Sequence, residues 1–244
     1  MRDLAPCDGR IAEIEHTVRF LMMPGSVMEL RILNTRCGTV SGYFDDPGKL
    51  ARVAVRWDGR APGIYVTINP VRRDLLARAA NRLHAHARHT TSDVDVLCRH
   101  WLPLDFDPVR PAGISSSNSE HQAALERARL VRDEMRKRGW PDPVLASSGN
   151  GAHLLYPLDL PNDVQTHEWV RYCLQALSFE FSDEQVHLDT ANHNAARIWK
   201  LYGTLACKGD ATEERPHRLA RVLECPWLPD AAPFATEEKG AGHA

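Results

Sequence analysis

Two aspartates lie one residue apart in the apolar stretch WLPLDFDPVRP, residues 101–111. Side chains alternate between the faces of a strand, so Leu104 and Phe106 would enter a core while Asp105 and Asp107 project together from the other face. An isolated D-x-D pair is more often a solvated edge or turn, but the flanking Trp, Leu and Phe favour a buried strand, where unpaired aspartates are costly. Two close carboxylates repel each other unless a cation lies between them. The stretch therefore predicts a strand carrying ligands for a hard divalent ion.

A second strand-like stretch, QVHLD at residues 185–189, repeats this alternation. Val186 and Leu188 would face inward, and His187 and Asp189 would point the other way. If its strand lies beside the D-x-D strand, Asp189 completes a three-carboxylate cluster suited to Mg²⁺ or Mn²⁺. Two such ions, about 3.5 to 4 Å apart, are the usual machinery for in-line attack at phosphorus.

The stretch SSGNGAHLLYP, residues 147–157, predicts a hairpin that could bind an anion. The turn Gly149-Asn150-Gly151 would expose backbone N–H groups to phosphate oxygens, and Ser148 would add a hydroxyl. His153 opens the next strand, within reach of the same anion. An ordinary hairpin with a surface histidine remains the alternative.

A basic run follows Asp189 in the sequence ARIWKLYGTLACKG, which contains Arg197, Lys200 and Lys208. Such a run is usually a solvated face. Its closeness in the chain to the aspartates makes phosphate contact the second interpretation.

The elements that must position these residues are read from hydrophobic periodicity and from capping signals. Ser117 and Glu120 form a capping box ahead of a long helix that Gly139 closes. The order β-α-β-β-α-β in the second half resembles the split βαβ, ferredoxin-like arrangement, so the fold class is α+β with a small N-terminal α/β module. The predicted strands are 29–33, 38–44, 63–69, one within the stretch 101–111, 143–148, 152–156 and 185–189, and the predicted helices are 46–59, 72–83, 117–139 and 163–178. The predicted divisions are a lead-in (1–24), the N-terminal module (25–92), the catalytic module (93–230) and a flexible tail (231–244).

Composition limits the function classes. The 244 residues are 43% hydrophobic with a formal net charge of −2, so the chain can bury a core and is not a globally basic nucleic-acid binder. Residues 51–100, however, hold nine arginines against four aspartates. No signal peptide or transmembrane run is visible, which predicts a cytoplasmic protein without a membrane partner. Six cysteines without a C-x-x-C pair predict reduced thiols and no zinc site.

The four motifs in this order resemble those of the archaeo-eukaryotic primase superfamily, in particular its primase-polymerase members. That pattern is a D-x-D strand, an S-G-x-G-x-H hairpin, a strand ending in a hydrophobic residue and Asp, and an R-I-x-x-L-P-G-T segment. The segment NAARIWKLYGTLACKG is similar to the last of these, with Tyr202 where proline is common. The stretches GYFDDPGKLARVAVRWDG and GIYVTINP resemble the N-terminal module of the same proteins. The resemblance spans roughly residues 25–225.

The resemblance implies a catalytic module like an RNA-recognition motif (RRM), packed on the N-terminal module, with the active site in the cleft between them. It assigns the two metal ions to the catalytic residues Asp105, Asp107 and Asp189. It assigns the nucleotide to Ser148, Gly149, Asn150 and His153, with Arg197 and Lys200 as phosphate or template contacts. The partners would be NTPs or dNTPs and a single-stranded DNA template bound by the basic stretch 51–100. The chain has no G-x-x-x-x-G-K-[ST] motif, so unwinding would need a separate helicase or further sequence of the same protein.

Several functions compete at this point. The first is a template-directed nucleotidyltransferase, which the basic run further predicts to start strands on unprimed DNA. A metal-dependent nuclease would use the same carboxylates but needs no triphosphate site. A catalytically inactive module of the replication-initiator type would not need all three aspartates. A relaxase is suggested only by LHAHARH, residues 83–89, whose histidines are predicted to be ordinary surface residues of a helix.

Overall fold

The computed structural model describes residues 7–226, with the side chains described from residue 9 onward. It is a mixed α/β fold built from antiparallel sheets and helices. The α-helices are α1 (Cys7–Leu21), α2 (Pro47–Val55), α3 (Asn118–Lys137) and α4 (Val164–Phe181). The strands are β1 (Met28–Thr35), β2 (Gly38–Phe44), β3 (Ile64–Thr67), β4 (Cys98–Pro108), β5 (Val144–Ser147), β6 (Ala152–Pro161), β7 (Val186–Leu188), β8 (Ile198–Lys200), β9 (Leu205–Ala206), β10 (Arg218–Leu219) and β11 (Arg221–Glu224).

The first sheet has the strand order β2-β1-β3-β8 and is covered on one face by α1 and α2. Leu30 and Ile32 of β1 alternate into this core and are fully buried. The predicted start of α2 is confirmed: the Asp46 carboxylate accepts a hydrogen bond from the Lys49 amide, and Pro47 occupies the first turn.

The second sheet has the strand order β11-β5-β6-β4-β7, and α3 and α4 pack on one of its faces. From β4 to β7 the chain runs in the predicted order β-α-β-β-α-β, with β4 between β6 and β7. The capping box at the start of α3 is confirmed, with Ser117 and Glu120 bonding each other's backbone amides. The second sheet therefore holds the D-x-D strand in its interior, between β6 and the edge strand β7.

The two faces of β4 serve different cores. Leu102, Leu104 and Phe106 are fully buried under α3 and α4. Trp101, on the opposite face, joins the apolar cluster of the first sheet. The first half of β4 is therefore covered on both faces. Asp105 lies further along the strand, beyond this covered part, on the same face as Trp101.

The predicted helix over residues 72–83 is wrong beyond its first turns. Only a 3₁₀ helix at Arg73–Arg78 forms, and the chain then runs beside β2 as an irregular segment. The Asn81 amide donates to the Tyr43 carbonyl, and the Tyr43 amide donates to Ala79. Asn81 also has a positive φ of 51°, which no helix accommodates. Backbone pairing with a neighbouring strand thus overrides the helical pattern, and the histidines of residues 83–89 do not lie on a helix.

Several further elements were not predicted, among them α1 and the strands β8 to β11. Helix α1 buries Ile14 and Val18 within what was expected to be a lead-in. Strand β8 belongs to the second half of the chain but pairs with β3 of the first sheet, and β11 forms an edge strand of the second sheet. The expected tail, residues 231–244, lies outside the described residues. No helix within residues 7–226 is long and apolar enough to cross a membrane.

Candidate active site

A cavity of about 300 Å³ opens between the two sheets. It is where the residues singled out by the sequence meet. One side is formed by the second sheet and its loops, and the other by β3, β8 and the chain that follows β8. The lining includes Asp105, Asp107, Ser148, Asn150, His153, Asp189, Arg197, Lys200 and Lys208, together with Tyr65 and Trp199. Of the predicted site residues, Gly149 alone is absent from this lining.

The three carboxylates come from two adjacent strands. In the register of β4 with its neighbours, Asp105 lies opposite His153 and Asp107 opposite His187. The Asp189 amide donates to the Asp105 carbonyl at 2.9 Å, which fixes the residue after β7 beside β4. The structure therefore brings the D-x-D pair and Asp189 to one end of one sheet.

The electrostatics at this end are unfavourable without a cation. The pKa of Asp107 is raised, first by the charge of Asp105 and second by burial. Arg110, 3.6 Å away, and Lys208 oppose this shift only in part. The pKa of Tyr65 across the cavity is also raised, by burial and then by the two carboxylates. Asp105 and Asp107 thus form a close pair of like charges whose repulsion a divalent cation would relieve.

Asp189 is held differently from the other two. Its carboxylate accepts hydrogen bonds from the Ala191 amide at 2.8 Å and the Asn192 side chain at 3.2 Å, and it lies 3.4 Å from Arg197. Among the described residues, no group of three or more His, Cys, Asp or Glu side chains is placed to hold a metal ion. Asp105 and Asp107 fit a divalent cation, whereas Asp189 is occupied by its own loop.

The hairpin between β5 and β6 is tightly closed. The Gly149 amide donates to the Ser147 hydroxyl and the Gly151 amide to the Ser148 hydroxyl. Two of the three backbone N–H groups expected to cradle a phosphate therefore already donate within the turn. The Asn150 side-chain oxygen accepts from the Ser116 amide, which ties the hairpin to the chain ahead of α3. What the hairpin offers the cavity is chiefly its Ser148 and Asn150 side chains.

His153 is directed at a carboxylate rather than towards the expected anion. Its Nδ1 lies 2.9 Å from the Tyr202 hydroxyl, and its Nε2 lies 3.3 Å from Asp105 Oδ1. The Trp199 indole donates to the same hydroxyl at 2.8 Å. An indole can only donate, so the arrangement that also gives the Tyr202 proton an acceptor has this proton on a bond to Nδ1. We assign the His153 proton to Nε2, facing Asp105, on this basis. This tautomer follows from the hydrogen-bond network.

Tyr202 is thus a residue whose role sequence reasoning missed. It is fully buried between His153 and Trp199, and burial raises its pKa. The signal was present, since Tyr202 stands where the resembling R-I-x-x-L-P-G-T segment has proline. The Tyr202 hydroxyl has His153 as a partner only because β8, which ends just before Tyr202, brings this part of the chain against β6.

The basic residues occupy distinct positions in the cavity. Arg197 lies against Asp189 and donates to the Asn192 side chain. Lys200 is buried, donates to the Thr204 hydroxyl and the Leu205 carbonyl, and has its pKa lowered to about 7 by burial. Lys208 lies at the exposed rim. Of the three, Lys208 is the cation most accessible to a ligand.

Neither a protein-family model nor a curated protein matches the chain. Among solved structures, the chain is similar to the polymerase domain of Mycobacterium tuberculosis ligase D in complex with DNA. The TM-score is 0.46 and the sequence identity 16%, over 87% of this chain and 80% of the other.

Proposed function

We propose that the protein is a template-directed nucleotidyltransferase, a DNA primase-polymerase that joins NTPs or dNTPs on single-stranded DNA. The observation that carries this proposal is the cavity itself. There, Asp105, Asp107 and Asp189 from neighbouring strands face a polar hairpin and a cluster of basic side chains. The strand order around β4 supports an RRM-like catalytic module, and β1 to β3 with α2 form the N-terminal module of the same proposal.

Asp105 and Asp107 would hold Mg²⁺ or Mn²⁺, because the mutual repulsion that raises the pKa of Asp107 is what a bound cation removes. Such ions, when bound, activate the attacking 3′-hydroxyl and neutralise charge on the leaving pyrophosphate. Asp189 would join the ligands when Arg197 turns from it to a phosphate. The Arg197 guanidinium is 40% exposed at its side chain, so it has room to make that exchange.

The remaining residues of the cavity would bind and orient the nucleotide. Ser148 and Asn150 offer hydrogen bonds to the triphosphate, and Lys208 supplies positive charge at the rim. His153 holds the Asp105 carboxylate through its Nε2 proton. Lys200 lines the cavity as a buried side chain, and its bonds to Thr204 and Leu205 keep the turn after β8 in place.

The competing functions explain less of the cavity. A nuclease could use the same carboxylates but has no use for Ser148, Asn150 and Lys208 gathered beside them. An inactive binding module has no reason to keep Asp105 and Asp107 in a crowded pair that costs stability. Both remain outcomes of the experiment below.

The test is nucleotide incorporation on single-stranded DNA, with and without a primer, using labelled NTPs or dNTPs and either Mg²⁺ or Mn²⁺. We expect Asp105→Asn, Asp107→Asn and Asp189→Asn each to lower incorporation by at least about 10³-fold, because each removes a ligand charge. Asp133→Asn, which removes an exposed carboxylate on α3, is the matched control and should retain activity. The unprimed template tests the predicted strand initiation separately from extension.

Degradation of the DNA by the wild-type chain, lost in the same variants, would establish the nuclease instead. DNA binding with neither incorporation nor degradation would establish the inactive module. Full activity in Asp105→Asn or Asp107→Asn would overturn the assignment of the site.

A further inference from the structure

A second cavity, of about 550 Å³, lies on the first sheet beside the edge strand β2. Its walls combine two strand residues with the irregular segment that follows the 3₁₀ helix. We call it the basic groove and define it by Arg78, His84, His86, Arg88 and His89, with Ser41 and Tyr43 at its floor. None of the residues that line it is acidic, and the sequence from Leu75 to Ser92 contains no Asp or Glu.

Of the five basic side chains of the groove, Arg78 alone has a hydrogen-bond partner among the described residues: it donates to the Tyr43 hydroxyl and the Thr90 carbonyl. Within residues 7–226, the side chains of His84, His86, Arg88 and His89 make no hydrogen bond or ion pair. Several arginines elsewhere are ion-paired, as in the pairs Arg132–Glu224, Arg138–Glu180 and Arg171–Glu168. Arg88 therefore brings an unpaired positive charge to the concavity, and three exposed imidazole rings lie beside it, a combination that suits an anionic ligand with flat ring systems.

The backbone of the groove is held in place by hydrogen bonds to β2. The Ser41 amide donates to the His84 carbonyl and the His84 amide to the Ser41 carbonyl, at 3.0 and 2.8 Å. Further along, the Ala87 amide donates to Thr39. At Gly42, a Cβ would lie 1.9 Å from the Arg82 carbonyl oxygen, so the segment lies directly on β2. The groove is therefore preorganised, which lowers the entropy cost of binding.

The groove is also linked to the active-site cavity across one face of the sheet. Ser41 lies opposite both His84 and Arg31, Arg31 lies opposite Tyr65, and Tyr65 lies opposite Lys200. Residues directly opposite each other point to the same face. Tyr65 and Lys200 line the first cavity and Ser41 lines the groove. At about 4.8 Å per strand, the row spans about 19 Å.

We propose that the basic groove binds the phosphodiester backbone of single-stranded nucleic acid that leads to or from the active-site cavity. Arginine supplies contacts to phosphates, and the three exposed imidazole rings supply flat surfaces on which unpaired bases can stack. A duplex keeps its bases stacked internally, so it would use the charge but not the rings. The inference rests on the proposed function for the continuity of the strand with the cavity.

The experiment measures anisotropy of a labelled single-stranded oligonucleotide of about 12 nucleotides across a series of salt concentrations. We expect Arg88→Glu to weaken binding roughly ten- to a hundredfold. Its plot of log affinity against log salt should be shallower by about 0.7, which is one phosphate contact on a single strand. His84→Ala, which leaves the backbone bonds of His84 intact, should weaken binding by at least about fivefold through lost stacking.

The matched control is Lys137→Glu, which makes the same charge change in the last turn of α3, on the helical layer of the other sheet. It should shift affinity by less than about twofold, because only the overall field changes. Thermal melting of each variant checks that the fold is kept. Equal effects of Arg88→Glu and Lys137→Glu would overturn the groove.

Two more arms separate the sources of phosphate. Blunt duplex bound as tightly as the single strand would overturn the single-stranded assignment, and so would full displacement of the oligonucleotide by inorganic phosphate at millimolar concentration. If binding depends on Arg88 but no incorporation occurs, the groove stands and the proposed function fails. If incorporation occurs but Arg88→Glu leaves the affinity for the template unchanged, the proposed function stands and the groove fails.

Discussion

At the scale of single residues, the Tyr202 hydroxyl determines which nitrogen of His153 carries the proton. Tyr202 accepts from Trp199 and donates to His153, so the imidazole presents a proton to Asp105. A histidine without this partner could adopt either tautomer, and only one of them faces the carboxylate with a donor. Tyr202 therefore acts on the site through His153 and without touching the substrate.

Removing that hydroxyl should affect turnover more than nucleotide binding. We expect Tyr202→Phe to lower kcat by roughly tenfold with a nucleotide KM changed by less than about threefold, because it loosens Asp105 and leaves the triphosphate contacts alone. Stability should fall by about 1–3 kcal/mol, since the buried Trp199 indole loses its acceptor. Steady-state kinetics and denaturant unfolding measure the two effects.

Tyr156→Phe is the matched control, because the buried Tyr156 hydroxyl has no hydrogen-bond partner among the described residues. It should leave both kinetic constants and stability nearly unchanged. A Tyr202→Phe enzyme with wild-type kcat, or one in which only KM rises, would show that the hydroxyl does not position Asp105.

At the scale of elements, the hairpin between β5 and β6 is placed by how closely it approaches β4. A Cβ at Gly151 would lie 2.2 Å from the carbonyl oxygen of Phe106, the residue between the two aspartates. Glycine is therefore needed at this position for space. The same contact sets the distance between the hairpin side chains and the carboxylates.

We expect Gly151→Ala to push the hairpin away from β4 and lower stability by about 1–3 kcal/mol through overpacking. Incorporation should fall as well, because Ser148 and Asn150 would move relative to Asp105. Gly9→Ala, in α1, is the control, since nothing lies within 4 Å of a Cβ there. Wild-type melting temperature and activity in Gly151→Ala would contradict this account of the hairpin.

Some of the secondary-structure elements could be predicted from the sequence and others could not. The alternation in β4, the capping box of α3 and the cap of α2 were predictable because each signal lies within a few residues. The segment after Arg78 was not, since its backbone bonds go to β2, about forty residues away in the chain. Strand β8 is only three residues long, and its partner β3 lies more than a hundred residues earlier.

The same reasoning applies to the candidate site. Asp105, Asp107 and Asp189 line one cavity, and strand alternation with sheet order made this proximity predictable. Their role as metal ligands stays a prediction. The directions of His153 and the Asp189 carboxylate were not predictable. They depend on Tyr202 and Arg197, whose positions follow from the long-range path of β8.

At the scale of the whole molecule, the two sheets share a core. The apolar cluster of the first sheet includes Trp101, Ala146 and Leu155 from the second, and all three are buried. In return, β8 of the second half supplies an edge strand to the first sheet. The predicted boundary near residue 92 thus separates sequence patterns, whereas the packing runs across it.

This packing predicts that the chain unfolds as one unit and that residues 93–226 do not fold alone. Without the first sheet, Trp101 and Leu155 would face water, and burial of such large apolar side chains contributes about 1.5–3 kcal/mol each, a large fraction of the stability of a domain. Strand β8 would also lose its only described partner strand, β3. We expect the full chain to show coincident melting by far-UV and near-UV circular dichroism. We expect residues 93–226 to lack the near-UV signal and to bind a hydrophobic dye. A cooperative transition with a native near-UV signal in residues 93–226 would show that the second sheet is an independent domain. The cleft would then be an interface between two domains, and the two sheets would not share one core.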